Sequence, residues 1–555
     1  MVLTSMDKSI ADFPFRFSST YRRGDDRLSR DYEHECSMVV SHEDMLSIGR
    51  LNSEQKYAFD QVVVQIDAGG SGVFFLDGPG GTGKTFLYRS LLAYVRHKGG
   101  IALAVASSGV AASLLPGGRT AHSRFKLPFD VDDRSIGRIS KQSDVAKLIR
   151  AATLIIWDEA SMANRHSIES FEGLLTDICD GASAFGGKIV LFGGDFRQTL
   201  PIVVGGSRDT MIGASLVTST LWRGITRLQL RKNVRAKEDP EFSEFLLRIG
   251  NGVEPFIFDE NVQIPASMLI PFLDLHASLD CLIRHVYPDL DYFLTHPLCL
   301  INRAILTSKN DCVDELNDLI IERFPGQIKE YVSFNRTDDP LQQGEYEDYL
   351  GTVSANGLPP HILRLKENCP IMLLRNLNPL QGLCNGTRLI CRRLGDTFIH
   401  AEIAVGDFKG NLVFIPRIPL EPSSKLKCPI PFKRMQIPVR PCFAMTINKS
   451  QGQTLQLVGI YLREPVFSHG QLYVALSRAK CASAVKVLIH PDSRAKSSID
   501  YTKNVVYHEI FKLAEGALQC AFLGFTKSTC MSSVIFSSRN QFLCLLLLAI
   551  IDGAA

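Results

Sequence analysis

The chain has 555 residues, with 61 Lys and Arg against 58 Asp and Glu, a formal net charge of +3. Charge this close to balance excludes holding a polyanion by bulk attraction, so any nucleic-acid partner must sit in a local groove. With 45% apolar and 21% charged residues the composition is that of an ordinary globular protein, and its length predicts roughly three or four globular units.

Residues 1–48 are polar and mixed in charge and read as a loosely ordered extension. Asp7 and Asp12 interrupt any apolar core, so no signal peptide is expected. The segment Leu51-Asn52-Ser53-Glu54-Gln55 opens a helix pattern. Gln55 carries a donor and an acceptor that suit the edge of adenine, although a glutamine there also completes a capping box.

The apolar run 73–76 reads as a buried strand, and 86–92 has helical apolar spacing. Between them stands G-x-x-x-x-G-K-T at 78–85. Strand, glycine loop and helix in this order form a phosphate cradle. Gly78, Gly80, Gly81, Thr82 and Gly83 bring backbone N–H groups inward, Lys84 reaches the β- and γ-phosphates, and Thr85 holds Mg2+. A nucleoside triphosphate and Mg2+ are therefore expected.

Next comes Gly118-Arg119-Thr120-Ala121-His122-Ser123-Arg124-Phe125-Lys126. It combines positive charge with an aromatic ring, as a single-strand track requires. Thr120, His122 and Ser123 are candidates to hold phosphates, and Phe125 to stack on a base or wedge. The plainer reading is a solvated basic turn over a buried Phe125.

The strand pattern 154–157 runs into Asp158-Glu159. Functional groups emerge at the carboxyl ends of such strands, which makes Asp158 a magnesium ligand and Glu159 the base for the attacking water. A second core strand, 188–192, ends in Gly193-Gly194-Asp195, and Gln198 behind it is placed to sense the γ-phosphate.

Short β-patterned runs separated by turns occupy 381–434 and predict a small inserted β-barrel. Thr446, Lys449, Ser450 and Gln451 then form a polar loop after the strand pattern 442–445, suited to DNA and nucleotide contact. The segment 471–479 brings Arg478 to a point where a second lobe can stabilise charge on the triphosphate. The apolar run 542–551 is shorter than the ~20 residues of a membrane span; it reads as a buried helix or a divergent tail, and no membrane partner is expected. The 14 cysteines are scattered, with no C-x-x-C pair or His/Cys cluster at ligand spacing, so free thiols and no zinc site are expected.

Taken in order, LNSEQKYAFD, GPGGTGKTFLYRSLL, ASSGVAASLLPGGRTAHSRFKLP, IIWDEASM, GGDFRQTLPI, LRKNVR, MTINKSQGQTL and GQLYVALSRA resemble the superfamily-one helicases of the petite-integration-frequency (PIF) type, particularly the plant branch related to Helitron transposons. The resemblance runs from about residue 50 to 507. It implies an α/β P-loop NTPase with two RecA-like lobes, over 49–235 and 236–510, a DNA-contacting insert near 116–150, the barrel insert, and a divergent tail over 511–555. By the same resemblance the lobes close on ATP, Gln55 contacts adenine, and Gln198, Arg235 and Arg478 line the γ-phosphate side.

The resemblance further implies 5′ to 3′ movement on single-stranded DNA and unwinding of forked or tailed duplex. The family works in repair, recombination and telomere maintenance, in the nucleus and also in mitochondria. Ser161-Met162 stands where the family has a proline, and Arg231 where it tends to have threonine. The paired histidines of the Helitron nuclease half are absent from the sequence, so strand nicking is not expected. Two other readings remain: a catalytically silent, transposon-derived nucleic-acid-binding protein, and an NTPase switch without translocation. Silent copies tend to lose the equivalents of Lys84, Glu159 or Arg478, all present here.

Overall fold

A computed structural model describes residues 26–128, 139–181, 183–258, 260–337, 346–354, 357–422, 430–491 and 500–516. The run 542–551 and most of the expected divergent tail lie outside the described residues.

The first lobe is a six-stranded sheet of order β3-β2-β4-β5-β1-β6, every pairing parallel. Its strands are β1 (Gly72–Asp77), β2 (Ile101–Ala106), β3 (Arg119–Thr120), β4 (Ala152–Asp158), β5 (Ile189–Gly194) and β6 (Thr226–Gln229). β2 and β5 are buried at every residue, as expected of strands covered on both faces. Register aligns Asp77 with Gly194 and Ala106 with Asp158, so the strand ends that carry chemistry share one edge of the sheet.

Six helices bear on the site: α1 (Asp26–Cys36), α2 (His42–Ser47), α3 (Ser53–Asp67), α4 (Lys84–His97), α5 (Gly109–Ser113) and α6 (Ala121–Phe125). α4 buries Leu87, Tyr88, Leu91, Leu92 and Val95, one apolar stripe at helical spacing. Each such side chain contributes about 1.5–3 kcal/mol by leaving water.

From Asp26 the N-terminal region differs from the loosely ordered extension expected of 1–48. Asp31 accepts twice from Arg119, at 2.8 Å each, Glu35 pairs with the buried Arg124, and Asp44 accepts from Arg89 at 2.7 and 3.2 Å. Three of the acids that make this segment polar are paired with arginines more than forty residues away, which local composition does not reveal.

The second lobe holds a four-stranded parallel sheet in which Arg303–Thr307 lies between Ala444–Thr446 and Leu457–Leu462, with Val485–Ile489 outermost. Its β insert is larger than 381–434. Antiparallel pairing already joins Lys329–Val332 to Ile362–Leu365, and a five-stranded sheet spans Pro370–Leu373 through Val439–Pro441.

The helix His508–Ala514 is a further correction. Tyr507, Ile510 and Leu513 are buried in the core of the first lobe, and Arg208 pairs with Glu509 at 2.7 Å. The tail boundary at 511 therefore cuts through a packed helix. Among the described residues no helix is long and apolar enough to cross a membrane.

Candidate nucleotide cleft and nucleic-acid track

The loop after β1 is shaped by two glycines. Gly81 has φ 93°, and a Cβ there would lie 2.5 Å from Asn233 Oδ1 and 2.7 Å from Arg235 Cβ. Gly83 has φ 83°, and a Cβ there would lie 2.4 Å from Gln55 Nε2. Neither position admits a side chain without displacing its neighbour. Thr82 Oγ1 closes the turn by donating to Pro79 O at 2.9 Å, and Lys84 Nζ donates to Gly78 O.

Gln55 does not present its amide to the cleft. Its Oε1 accepts from Asn52 N at 3.1 Å in a complete capping box, and its Nε2 donates to Thr82 O at 3.0 Å. The adenine role expected for it is replaced in this arrangement by a brace beneath the phosphate loop.

At the end of β4, Glu159 sits in the left-handed region at φ 53° and donates its N–H to Asp158 Oδ1 at 2.9 Å. Burial and the neighbouring Asp158 carboxylate push Glu159 up to about 7, against the opposing pull of Lys84 and Arg478. Asp158 is also raised by burial, with Lys84 opposing. After β5, Asp195 Oδ1 accepts from Arg197 N at 3.1 Å, and Oδ2 from Gln198 Nε2 at 3.5 Å. Ser161, at the family's proline position, accepts from Asp195 N through Oγ at 3.2 Å.

The second lobe closes the far wall. Arg235 Nη1 donates to Ser477 O at 3.0 Å. Arg478 is buried, and its guanidinium donates to Val474 O, Ser450 O, Gln453 O and Ser477 Oγ. Between the lobes lies a cavity of ≈ 480 Å³ lined by residues that include 80–85, Asp158, Glu159, Gln198, Arg235 and Arg478. The site residues expected from the phosphate loop, the acidic pair, the sensor and the two arginines thus meet in one cleft, except Gln55 and Gly78.

The expected track divides. Thr120, His122 and Ser123 are partly exposed at the start of α6, where Thr120 Oγ1 caps the helix by accepting from Ser123 N at 3.4 Å. Burial lowers the His122 pKa. Phe125 is 0% exposed and packs on Phe171 at 4.5 Å between ring centroids. It is a core residue and neither stacks on a base nor wedges.

In the second lobe Thr446 and Lys449 are partly exposed, and burial with Arg440 pushes the Lys449 ammonium down to about 8. Ser450 and Gln451 are buried and differ from the exposed contacts expected. Ser450 Oγ donates to Ile447 O at 2.7 Å, and Gln451 Nε2 donates across the lobes to Thr199 Oγ1 at 2.8 Å.

Tyr473, Asp195 and Asn233 are site residues that sequence reasoning missed. Tyr473 stands in the run 471–479, whose apolar spacing suits a core helix, and only the fold brings its hydroxyl to the loop.

Two parallel-sheet lobes with a glycine phosphate loop, and an acidic pair and arginine facing each other across the interlobe cleft, define a P-loop nucleotide-binding protein of RecA-like fold. Residues 50–258 match the family described as PIF1-like helicase, and 348–394 match the DNA helicase Pif1 2B domain. Over these two stretches the chain is similar to the PIF1-like helicases.

The chain is 27% identical over 454 residues to the ATP-dependent DNA helicase PIF1 of Danio rerio, covering 79% of this chain and 61% of that protein. It is also 27% identical over 431 residues to the ATP-dependent DNA helicase Pif1 of Campylobacter jejuni, covering 74% and 88%. A crystal structure of Pif1 helicase from Bacteroides in complex with ADP-AlF3 and ssDNA has the same fold, with TM-score 0.58 at 19% identity over 86% of this chain and 97% of that one. The chain spans about three-fifths of the length of its vertebrate relatives from Danio rerio and Xenopus laevis, 61% of each.

Proposed function

We propose that this chain is an ATP-driven DNA helicase that hydrolyses ATP to move 5′ to 3′ on single-stranded DNA and to open forked or tailed duplex. The observation that carries the reading is the convergence of Lys84, Glu159 and Gln198 from one lobe with Arg478 from the other on a single cleft. An arginine supplied across a cleft couples closure to hydrolysis.

In this reading the loop amides and Lys84 hold the phosphates. Glu159, poised near neutrality by its burial, takes the proton of the attacking water. Gln198 reports the γ-phosphate through Asp195, and Arg235 with Arg478 offsets the charge that develops on it. Thr85 and Asp158 are hard oxygen donors lining the cleft and would hold Mg2+. Held there, the ion would supply positive charge to the triphosphate. Thr120, His122, Ser123, Thr446 and Lys449 are the proposed strand contacts.

The plant, Helitron-related affiliation, the nuclear location and the roles in repair, recombination and telomere maintenance are proposed with this activity, from the resemblance and the named relatives. DNA-stimulated ATP hydrolysis, measured with strand separation on 5′- and 3′-tailed duplexes, tests the reading. Unwinding from the 5′ tail alone is expected. Nucleotide and DNA binding without turnover would instead make the chain a silent, transposon-derived binding protein.

A further inference from the structure

The helix Gln471–Leu476 touches the first lobe along its whole length. At its start, Gly470 has φ 71°, and a Cβ there would lie 2.2 Å from Arg197 O and 2.7 Å from Gln198 C. In its middle, the Tyr473 hydroxyl accepts from Gly80 N at 2.8 Å and donates to Asp195 Oδ2 at 3.0 Å. At its end, Ser477 O accepts from Arg235.

The Tyr473 ring is 1% exposed, and a Cβ on Gly250 would lie 2.8 Å from it, so the phenol cannot swing away while the lobes are together. One hydroxyl from the second lobe thus joins the phosphate loop to the aspartate that also holds Gln198. A phenol can donate once and accept, and both capacities are used here.

We propose that Tyr473 is the positioning residue that couples closure of the second lobe, and hence DNA occupancy, to the phosphate loop and the γ-phosphate sensor. The inference rests on the helicase reading above. Tyr473 touches the loop backbone and Asp195, so it acts through Gly80 and Gln198. Closing the cleft forms both of its bonds together, and opening breaks both. A ligand that favours closure therefore biases the geometry of the nucleotide loop. Burial and the Asp195 charge raise the phenol's pKa far above the physiological range, so it remains a donor throughout.

The test uses the full chain, a fluorescent non-hydrolysable ATP analogue and an oligo-dT strand. Nucleotide affinity is measured with and without the strand, and the ratio is the coupling factor. Coupled sites typically show about 5–150-fold, and a ratio in that range is expected for the wild type. In Tyr473→Phe, which keeps the ring, the ratio should fall to within about twofold of unity. Asp195→Asn should move the ratio in the same direction, and the double variant should lose no more than either single one. Asp195→Asn alone carries the test if Tyr473→Phe fails to fold. A ratio that survives in Tyr473→Phe, or additive losses in the double variant, overturns the inference alone. A wild type that binds neither ligand, or binds both with no coupling, overturns the helicase reading and the inference with it.

Discussion

His469 of the second lobe donates from Nε2 to Phe196 O of the first at 2.8 Å, while its Nδ1 accepts from Tyr507 N at 2.8 Å. Accepting at Nδ1 requires the neutral ring, with its one proton on Nε2. Burial is the main reason that its pKa falls from 6.5 to about 4. Below pH 6.5 the unfolded chain takes up a proton that the folded chain refuses, so stability is lost as pH falls from 6.5 towards 4. Between pH 7 and 5 the loss should reach about 2 kcal/mol in urea unfolding. His469→Gln should be less stable at pH 7 but show a shallower pH slope, and an unchanged slope would remove His469 as its source.

Glu159 is the proposed base and must be ionised to act. With its carboxyl raised to about 7, kcat/KM for ATP should fall as pH drops below 7 and level off above it. Glu159→Gln should bind nucleotide but hydrolyse it ~10²-fold or more slowly. Equal turnover in variant and wild type would remove it from the reaction.

Arg478→Ala should slow hydrolysis by about 10³-fold with a smaller effect on nucleotide affinity. The four acceptors of its guanidinium add a cost that a purely catalytic finger would not have. Leaving a buried carbonyl unpaired costs about 1–3 kcal/mol, so a lower melting temperature should accompany the slower turnover. Arg478→Lys keeps the charge but loses the fork, and should remain slow. Wild-type turnover in the lysine variant would show that charge alone suffices.

Phe125→Ala should cost about 3–5 kcal/mol of folding stability, the usual cost of emptying a large core site, and leave the affinity of the folded protein for single-stranded DNA unchanged. A fluorescence-anisotropy titration below the unfolding transition separates the two. Weakened DNA binding at wild-type stability would restore the stacking role.

A chain ending at 516 should keep full ATPase activity and stability. One ending at 507 loses Ile510 and Leu513, both at most 1% exposed, and should lose roughly 3 kcal/mol or more on burial of those two side chains alone. Equal melting temperatures for the two truncations would mean that the helix His508–Ala514 only rests on the surface.

The cleft was largely readable in the residues because its geometry is local. A buried strand, glycines at left-handed positions and a helix start bring Lys84 and Thr85 to one place wherever that order occurs, and Asp158 inherits its position from strand register. The misreadings share a different cause. Phe125 lies in a basic run, but α6 turns it inward onto Phe171, a residue of another helix. Gln451 and Gln55 both look free to contact a ligand, yet their amides bond to Thr199 and Thr82. Asp31, Glu35 and Asp44 look like a solvated surface until Arg119, Arg124 and Arg89 are brought to them. Local pattern encodes which backbone is made, and long-range packing decides which polar side chains remain available.

The helix His508–Ala514 sets an order of events for a chain that is made from one end. Arg227 Nη1 donates to Ala514 O across 287 residues, and Ile510 and Leu513 belong to the core formed around β1, β4 and β5. A ribosome adding about 5–20 residues per second needs on the order of 15–60 s to bridge that interval. During that time the nucleotide-binding lobe stands assembled but unsealed, with an apolar seat exposed. Chaperone capture of the nascent chain should therefore concentrate in that interval and end once the helix His508–Ala514 emerges from the exit tunnel.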